Sequence, residues 1–119
     1  MRHVLEDLNK TKGITGSIIV GNDGMVISAY VGEGDNDEII GAMAAAIVGT
    51  VQKSLKNLKQ RSMVQGLIEA TDGKLFLADV DIGILVAMAE KEVNIGLIRL
   101  EMRNAARRIL DERKRGNTI

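Results

Sequence analysis

Two carboxylates near the end of a predicted strand are the first candidates for chemistry. Asp79 and Asp81 are two residues apart, a spacing that places both side chains on one face of a strand. Paired carboxylates can perform acid–base work. No nucleophile or partner acid lies at an identifiable spacing from them, so a solvent-facing strand end accounts for the same residues.

Metal and phosphate sites find little support in the sequence. The segment Asp35-Asn36-Asp37 resembles the opening of a calcium-binding loop. However, Ile39 and Ile40 stand where a ligand and a glycine are required, and helix capping explains the same segment. Gly32-Glu33-Gly34 lacks the spacing of a phosphate-binding loop, and acidic side chains beside it would repel phosphate. We therefore expect no metal site and no cofactor.

Catalysis by a histidine or a cysteine is also unsupported. The chain has no cysteine and a single histidine, His3 near the N-terminus. This composition excludes disulfides, thiolate zinc sites and cysteine nucleophiles, and it argues against a Ser-His-Asp triad. We expect no catalytic residues.

Composition and charge exclude further classes of protein. The 119 residues carry 16 basic and 16 acidic side chains, and aromatic residues make up 2% of the chain. Nucleic-acid-binding chains usually have a basic excess, and single-strand binders have more aromatic rings. The longest apolar runs are about six residues, too short to span a bilayer, and the N-terminus does not lead into a signal peptide. We expect one cytoplasmic domain over residues 1–119, with no nucleic-acid partner and no transmembrane segment.

Glycine-rich turns divide the chain into eight periodic segments. The spacing of apolar residues predicts three helices, Arg2–Lys10, Asp37–Gln60 and Ile95–Lys114, and five strands, Ile14–Val20, Met25–Val31, Met63–Thr71, Lys74–Asp81 and Ile82–Glu90. Asn36 or Asp37 is expected to cap the second helix, and Asn94 the third. The mixed polarity of Met63–Thr71 is typical of an edge strand. The order α-β-β-α-β-β-β-α predicts an α/β protein of the α+β type, with five antiparallel strands and helices on both faces.

The long helix carries the most unusual pattern, because its first half is apolar all round. A helix that packs on a sheet needs only one apolar stripe. Ile40, Met43, Ile47 and Val51 can supply this stripe. A second stripe contains small residues, which allow two helices to approach closely. Burial of this helix inside one monomer is the alternative, but a chain of this size has little material to cover it on both sides. We therefore predict a helix–helix dimer seam formed by Gly41, Ala42, Ala45, Ala46 and Gly49.

The C-terminal helix is rich in basic residues. Arg99, Arg103, Arg107, Arg108, Arg113, Lys114 and Arg115 stand against Glu101, Asp111 and Glu112. A solvated helix face explains this excess, since cations also complement the C-terminal end of the helix dipole. Contact with an acidic protein or lipid surface is the alternative.

These features together resemble the Roadblock/dynein light chain domain. The matching residues are the Ile14–Tyr30 hairpin with Gly-Asn-Asp-Gly at its turn, the Ala/Gly-rich helix Ile39–Leu58 and the Leu75–Glu90 hairpin. The resemblance covers nearly the whole chain and implies a profilin-like sheet with strand order 2-1-5-4-3. It also implies homodimers or heterodimers in which the third strands pair across a two-fold axis and the long helices lie side by side. Three residues of the third strand thereby join the predicted interface: Val64, Gly66 and Ile68.

The resemblance also implies a function. Family members serve small Ras-like GTPases, as MglB-type GTPase-activating proteins or Ragulator-like scaffolds, or they act as cargo-adaptor light chains in dynein. We therefore expect a non-enzymatic homodimer that binds and regulates a small Ras-like GTPase; no arginine finger can be nominated. A ligand-binding sensor domain or a dynein-type adaptor light chain is the alternative. An apolar strip with a charged rim is typical of a transient interface, which predicts partner binding by Ile39, Lys53, Lys56 and Lys59.

Overall fold

The central sheet of the computed structural model has five antiparallel strands in the order β2-β1-β5-β4-β3. The structure describes residues 1–32, 36–59 and 63–117. Glu33, Gly34 and Asp35 of the acidic segment, and Gln60 at the end of the predicted long helix, lie outside the described residues. The elements in chain order are α1 (Arg2–Leu8), β1 (Ile14–Gly21), β2 (Val26–Tyr30), α2 (Asp37–Asn57), β3 (Gln65–Glu69), β4 (Gly73–Asp79), β5 (Gly83–Glu90) and α3 (Ile95–Asn117).

This architecture confirms the fold class and the strand order expected from the sequence. The helix α2 packs on one face of the sheet, against β1, β2 and β5. The terminal helices share the other face, where α1 lies over β1 and β2 while α3 lies over β4 and β5. The mixed-polarity strand β3 is an edge of the sheet, as its sequence predicts.

Alternating apolar residues of the strands supply two cores, one on each face of the sheet. On the face of the terminal helices, Ile19 and Leu85 pack with Leu5, Ile98 and Met102. On the α2 face, residues of β1, β4 and β5 pack with α2: Ile18, Val20, Ala44, Val48, Leu77 and Val86. The strand β5 is buried on both faces, which explains why its sequence is almost wholly apolar.

Side-chain caps begin both long helices where the sequence predicts them. The Asn36 side chain accepts a hydrogen bond from the Ile39 N–H at 3.1 Å. The Asn94 side chain accepts one from the Leu97 N–H at 3.0 Å. Each cap satisfies a backbone donor that has no partner within the first turn of its helix.

One expectation about α2 is wrong in part: Ile40 packs against the core on this face of the sheet, but Met43 and Val51 are exposed. Gly41, Ala44 and Val48 are the buried residues, whereas Met43 is 58% exposed. A Cβ atom on Gly41 would lie 3.1 Å from Val20 Cγ2, so the absent side chain lets the helix lie close to β1. Small residues therefore lie on both the sheet-facing and the outward side of α2. The positions of the larger apolar residues do not identify the side that faces the sheet.

Candidate interaction surface

The outward face of α2 is apolar and uncovered in the protomer. Ile39 and Met43 are exposed, and the small residues Ala42, Ala46 and Gly49 lie exposed beside them. By length and composition alone, the stretch Glu38–Asn57 would suffice to cross a membrane, although a core helix can pass the same test. Only 17% of its most apolar window is buried. The protomer therefore leaves most of this helix available for contact.

The structure divides the predicted seam residues of α2 into two groups. Ala42, Ala46 and Gly49 face outward, and a Cβ atom on Gly49 would have no neighbour within 4 Å among the described residues. Gly41 is buried against β1, so its assignment to the outward seam is wrong. Ala45 is half-buried near the β1–β2 turn. The outward small-residue surface is therefore narrower than the sequence suggests.

The outer edge of β3 presents backbone groups that have no strand beside them among the residues that the structure describes. The Asp79 N–H donates to Val64 O at 3.1 Å, and the Ala70 N–H donates to Gly73 O at 2.9 Å. Backbone groups along an antiparallel strand alternate in direction. Gln65, Leu67 and Glu69 therefore direct their N–H and C=O groups away from β4. This outward row can pair with another strand.

Side chains around β3 differ between its two faces. Val64 is 78% exposed, while Gly66 and Ile68 are half-buried on the α2 side. On the opposite side, the Gln65 side chain donates to Arg99 O at 3.2 Å. That bond fixes the start of α3 beside the edge strand. Arg99 therefore stands at one end of β3, and Glu69 stands at the other.

A cleft of about 630 Å³ opens between the second half of α2 and the edge strand. Its apolar lining includes Val51 and Leu55 of α2 and Ile68 of β3, and Arg99 and Arg103 stand at its margin. The cleft exists because α2 lies over β1, β2 and β5, and in the described ranges its backbone does not come comparably close to β3 or β4, although the Leu77 side chain of β4 reaches the core below α2. The α2 side of the sheet is therefore open next to its unpaired edge.

Three lysines lie at the C-terminal end of α2. Lys53, Lys56 and Lys59 are all exposed, and within the described ranges none of them forms an ion pair. Lys59 has φ 60°, a left-handed conformation that commonly follows the last turn of a helix. These exposed cations lie at the C-terminal end of the apolar face of α2, and their role in partner binding stays a prediction.

The paired carboxylates of the β4–β5 turn serve the structure of that turn. The Asp79 carboxylate accepts a hydrogen bond from the Asp81 N–H at 3.2 Å. Asp81 forms an ion pair with Arg113 of α3. Both aspartates are exposed at the end of the strand. In the part of the chain that the structure describes, no group of three or more acidic or histidine side chains could hold a metal ion.

Two acidic residues tie the terminal helices together. The Arg108 guanidinium, 2.9 Å from Asp7, and then Lys10 hold the pKa of the Asp7 carboxyl below its ordinary value. Burial alone would raise the pKa of Glu112, but the N-terminal ammonium at 3.1 Å and His3 lower it below its ordinary value. These contacts hold α1 on α3, away from the α2 surface.

The three helices and the antiparallel sheet in the order β2-β1-β5-β4-β3 define a profilin-like fold. The family model for the Roadblock/LC7 domain matches residues 2–89. The chain therefore belongs to the Roadblock/LC7 domain family. The uncharacterized protein MJ1340 of Methanocaldococcus jannaschii is 41% identical over 106 residues, which cover 89% of this chain and 93% of that relative.

Solved structures show the same fold at low sequence identity. MglB of Myxococcus xanthus has a TM-score of 0.89 at 17% identity, covering 95% of this chain and 94% of that one. The Roadblock/LC7 domain from Streptomyces avermitilis has a TM-score of 0.86 at 16% identity, covering 92% and 93% of the two chains. These similarities support the arrangement of helices and strands.

Sequence reasoning missed three residues of the uncovered surface. The helical spacing of apolar residues predicts Met43 on the stripe that faces the sheet, but its side chain is exposed. Leu67 is absent from the predicted interface, and Arg99 is predicted only as one of the basic residues of the C-terminal helix. Their place at this surface depends on the outer edge of β3 and on the contact between Gln65 and α3. The alternation within β3 could have identified Leu67, but no sequence signal brings Arg99 to that strand.

Proposed function

We propose that this Roadblock/LC7 domain is a non-enzymatic homodimer that binds and regulates a small Ras-like GTPase in the cytoplasm. The observation that carries the proposal is the continuous uncovered surface formed by the outward face of α2 and the outer edge of β3. Exposed apolar area of this kind marks sites of protein association. Membership of the Roadblock/LC7 family supports the class of partner.

The dimer forms by pairing of the two β3 edges in antiparallel orientation. Outward groups at Gln65, Leu67 and Glu69 allow one register in which the whole strand is paired. In that register Leu67 pairs with Leu67 of the second copy, and about six new backbone hydrogen bonds form. A shift in either direction leaves some of these groups without a partner, so full pairing is favoured.

Charges at the two ends of β3 favour the same register. Full pairing sets Gln65 opposite Glu69 of the second copy. Arg99 stands beside Gln65, so each Arg99 approaches the Glu69 carboxylate of the other copy. On the α2 side, Ile68 lies opposite Gly66 of the second copy, where no side chain competes for space. The edge is therefore self-complementary under a two-fold axis.

A charge-reversal cycle tests the pairing. Glu69→Arg and Arg99→Glu each replace two attractions per dimer by two repulsions, and the dissociation constant of the dimer should rise about tenfold or more. The double variant restores opposite charges and should recover most of the affinity. Sedimentation equilibrium measures each constant. Lys12→Glu, at an exposed position in the loop between α1 and β1, is the control and should have little effect. If the double variant is as weak as the singles together, the register is wrong.

The GTPase binds to the strip that the two α2 helices form in the dimer. Two copies of Ile39, Ala42 and Ala46 supply an apolar centre, with Lys53 and Lys56 on the rim. Because the two-fold axis passes through this strip, one GTPase binds per dimer. Stimulation of hydrolysis would come from holding the switch segments of the GTPase in one arrangement, a population shift rather than donated chemistry.

Calorimetric titration of the dimer with a small Ras-like GTPase from the same organism, in both nucleotide states, tests this surface. Lys53→Glu combined with Lys56→Glu should slow association without unfolding the domain, because rim charges mainly set encounter rates. Arg107→Glu combined with Lys114→Glu, at exposed positions of α3, is the matched control. Unchanged binding by the lysine variant would exclude this surface as the partner site.

A further inference from the structure

We propose that the outer face of α3 docks on an anionic lipid bilayer. The residues concerned, Leu100, Arg103, Arg107 and Lys114, are called the α3 basic face; all four are exposed. At 100° per residue they fall within about 60° of the helix circumference. The rise per residue spreads Arg103 to Lys114 over about 16 Å. The face is thus a straight, narrow row of cations with a leucine at one end.

Cations of the α3 basic face are not neutralised by their surroundings. Arg103, Arg107 and Lys114 form no ion pair with any acidic residue of the described ranges. Three acidic residues on this side of the molecule already have partners: Asp7 with Arg108, Glu112 with His3 and the N-terminus, and Asp81 with Arg113. Glu101 lies about 100° from Leu100 around the helix axis, outside the α3 basic face. Asp111 is exposed on the same sector of the helix, and the row remains net positive with it.

Exposed leucines among these cations favour a lipid partner. Leu97 is 41% exposed and Leu100 is 49% exposed on the first turns of α3. In helices that lie on a membrane, apolar residues enter the boundary between headgroups and acyl chains while cations bind lipid phosphates. The row runs along the convex outer side of a helix. A flat bilayer meets such a ridge along its length, whereas a bound peptide needs a groove.

The dimer described under the proposed function would double this surface. Pairing of β3 about a two-fold axis keeps both α3 helices on one face of the continuous sheet, opposite the two α2 helices. Each cation near an anionic bilayer raises the binding constant about fivefold. The dimer presents six such cations, which act together because they belong to one particle. The GTPase site on α2 would then face away from the membrane. This doubling rests on the proposed function, but binding by a single protomer does not.

Vesicle sedimentation tests the inference with the full chain at low salt. One set of vesicles contains equal parts of phosphatidylglycerol and phosphatidylcholine, and the other contains phosphatidylcholine alone. The wild-type protein should sediment with the anionic vesicles only, and added salt should release it. Arg103→Gln combined with Arg107→Gln should weaken this binding about 25-fold per protomer. Lys53→Gln combined with Lys56→Gln removes the same charge from the opposite face and should change it by no more than about twofold.

Three results would overturn the inference. They are failure of the wild-type protein to bind anionic vesicles, equal losses in the two double variants, and binding to polyglutamate without binding to vesicles. The last result would assign the face to an acidic protein surface. Sedimentation equilibrium keeps this test separate from the proposed function. A monomeric wild-type protein that binds the anionic vesicles would refute the homodimer and leave the membrane site standing.

Discussion

At Gly49 in α2, we expect the stability of the protomer and the affinity of the dimer to favour different residues. The glycine lies inside the helix and is exposed, and a Cβ atom there would meet nothing within 4 Å. Glycine inside a helix is less stable than alanine by about 0.5–1 kcal/mol. Gly49→Ala should therefore stabilise the isolated protomer by that amount. For a chain of this length, the gain raises Tm by roughly 2–4 °C.

Close approach of two α2 helices reverses the preference at Gly49. A methyl group at a tightly packed helix contact costs about 1–3 kcal/mol, and the dimer carries two of them. The dissociation constant of the Gly49→Ala dimer should therefore rise by about tenfold or more. The helix-propensity gain is present in both states and cancels in this constant.

Thermal melts at a concentration where the protein is monomeric, together with sedimentation equilibrium, separate the two effects. Gly41→Ala is the matched control on the sheet side of the same helix. Its Cβ atom would lie 3.1 Å from Val20 Cγ2 and 3.2 Å from Val26 Cγ2. Crowding of this Cβ atom should reduce or reverse the stability that alanine gains from its higher helix propensity. The dissociation constant of the dimer should stay unchanged. An unchanged dimer constant for Gly49→Ala would refute close packing of the two helices at this position.

Three further predictions concern the protomer. Gly83→Ala should destabilise the fold by about 3 kcal/mol or more, because its Cβ atom would overlap the carbonyl oxygen of Val20. Chemical denaturation measures the loss, and a variant as stable as the wild type would contradict the close approach of β5 to β1. Lys59→Gly should stabilise the domain by about 1 kcal/mol, since Lys59 has φ 60°; a lower denaturation midpoint would exclude that conformation. The pKa values of Asp7 and Glu112 lie below their ordinary values of 3.8 and 4.5. The stability that these carboxylates contribute is therefore fully present above the ordinary pKa values, and it is lost as the pH falls through the lowered pKa values of the folded protein. Asp7→Asn should flatten the fall in denaturation midpoint between neutral pH and about pH 3, and an unchanged slope would show that the contact with Arg108 has no role.

The sequence predicts the elements of this fold well because local signals agree with the tertiary arrangement. The caps at Asn36 and Asn94 form as expected, and the apolar sequence of β5 matches its central place in the sheet. Each of these signals depends on residues close together in the chain. When local signals agree with the overall fold in this way, helices and strands can be predicted from the sequence.

Predictions fail where packing depends on shape. Gly41, rather than a larger apolar residue, faces β1, because a glycine at this position allows the helix to lie closer to the strand. A hydrophobic pattern cannot distinguish the two stripes of a helix that is apolar all round. The placement of Arg99 beside β3 likewise depends on a hydrogen bond between residues 34 positions apart.

The mass of the complex with a small Ras-like GTPase is the most direct test of the proposed function. Light scattering on a size-exclusion column measures the protein alone and then its mixture with the GTPase bound to a non-hydrolysable GTP analogue. Alone, the protein should have twice its chain mass of 12.9 kDa. The mixture should add one GTPase to that dimer. A protein that elutes at its single chain mass, or a mixture that separates into its free components, would contradict the proposed function.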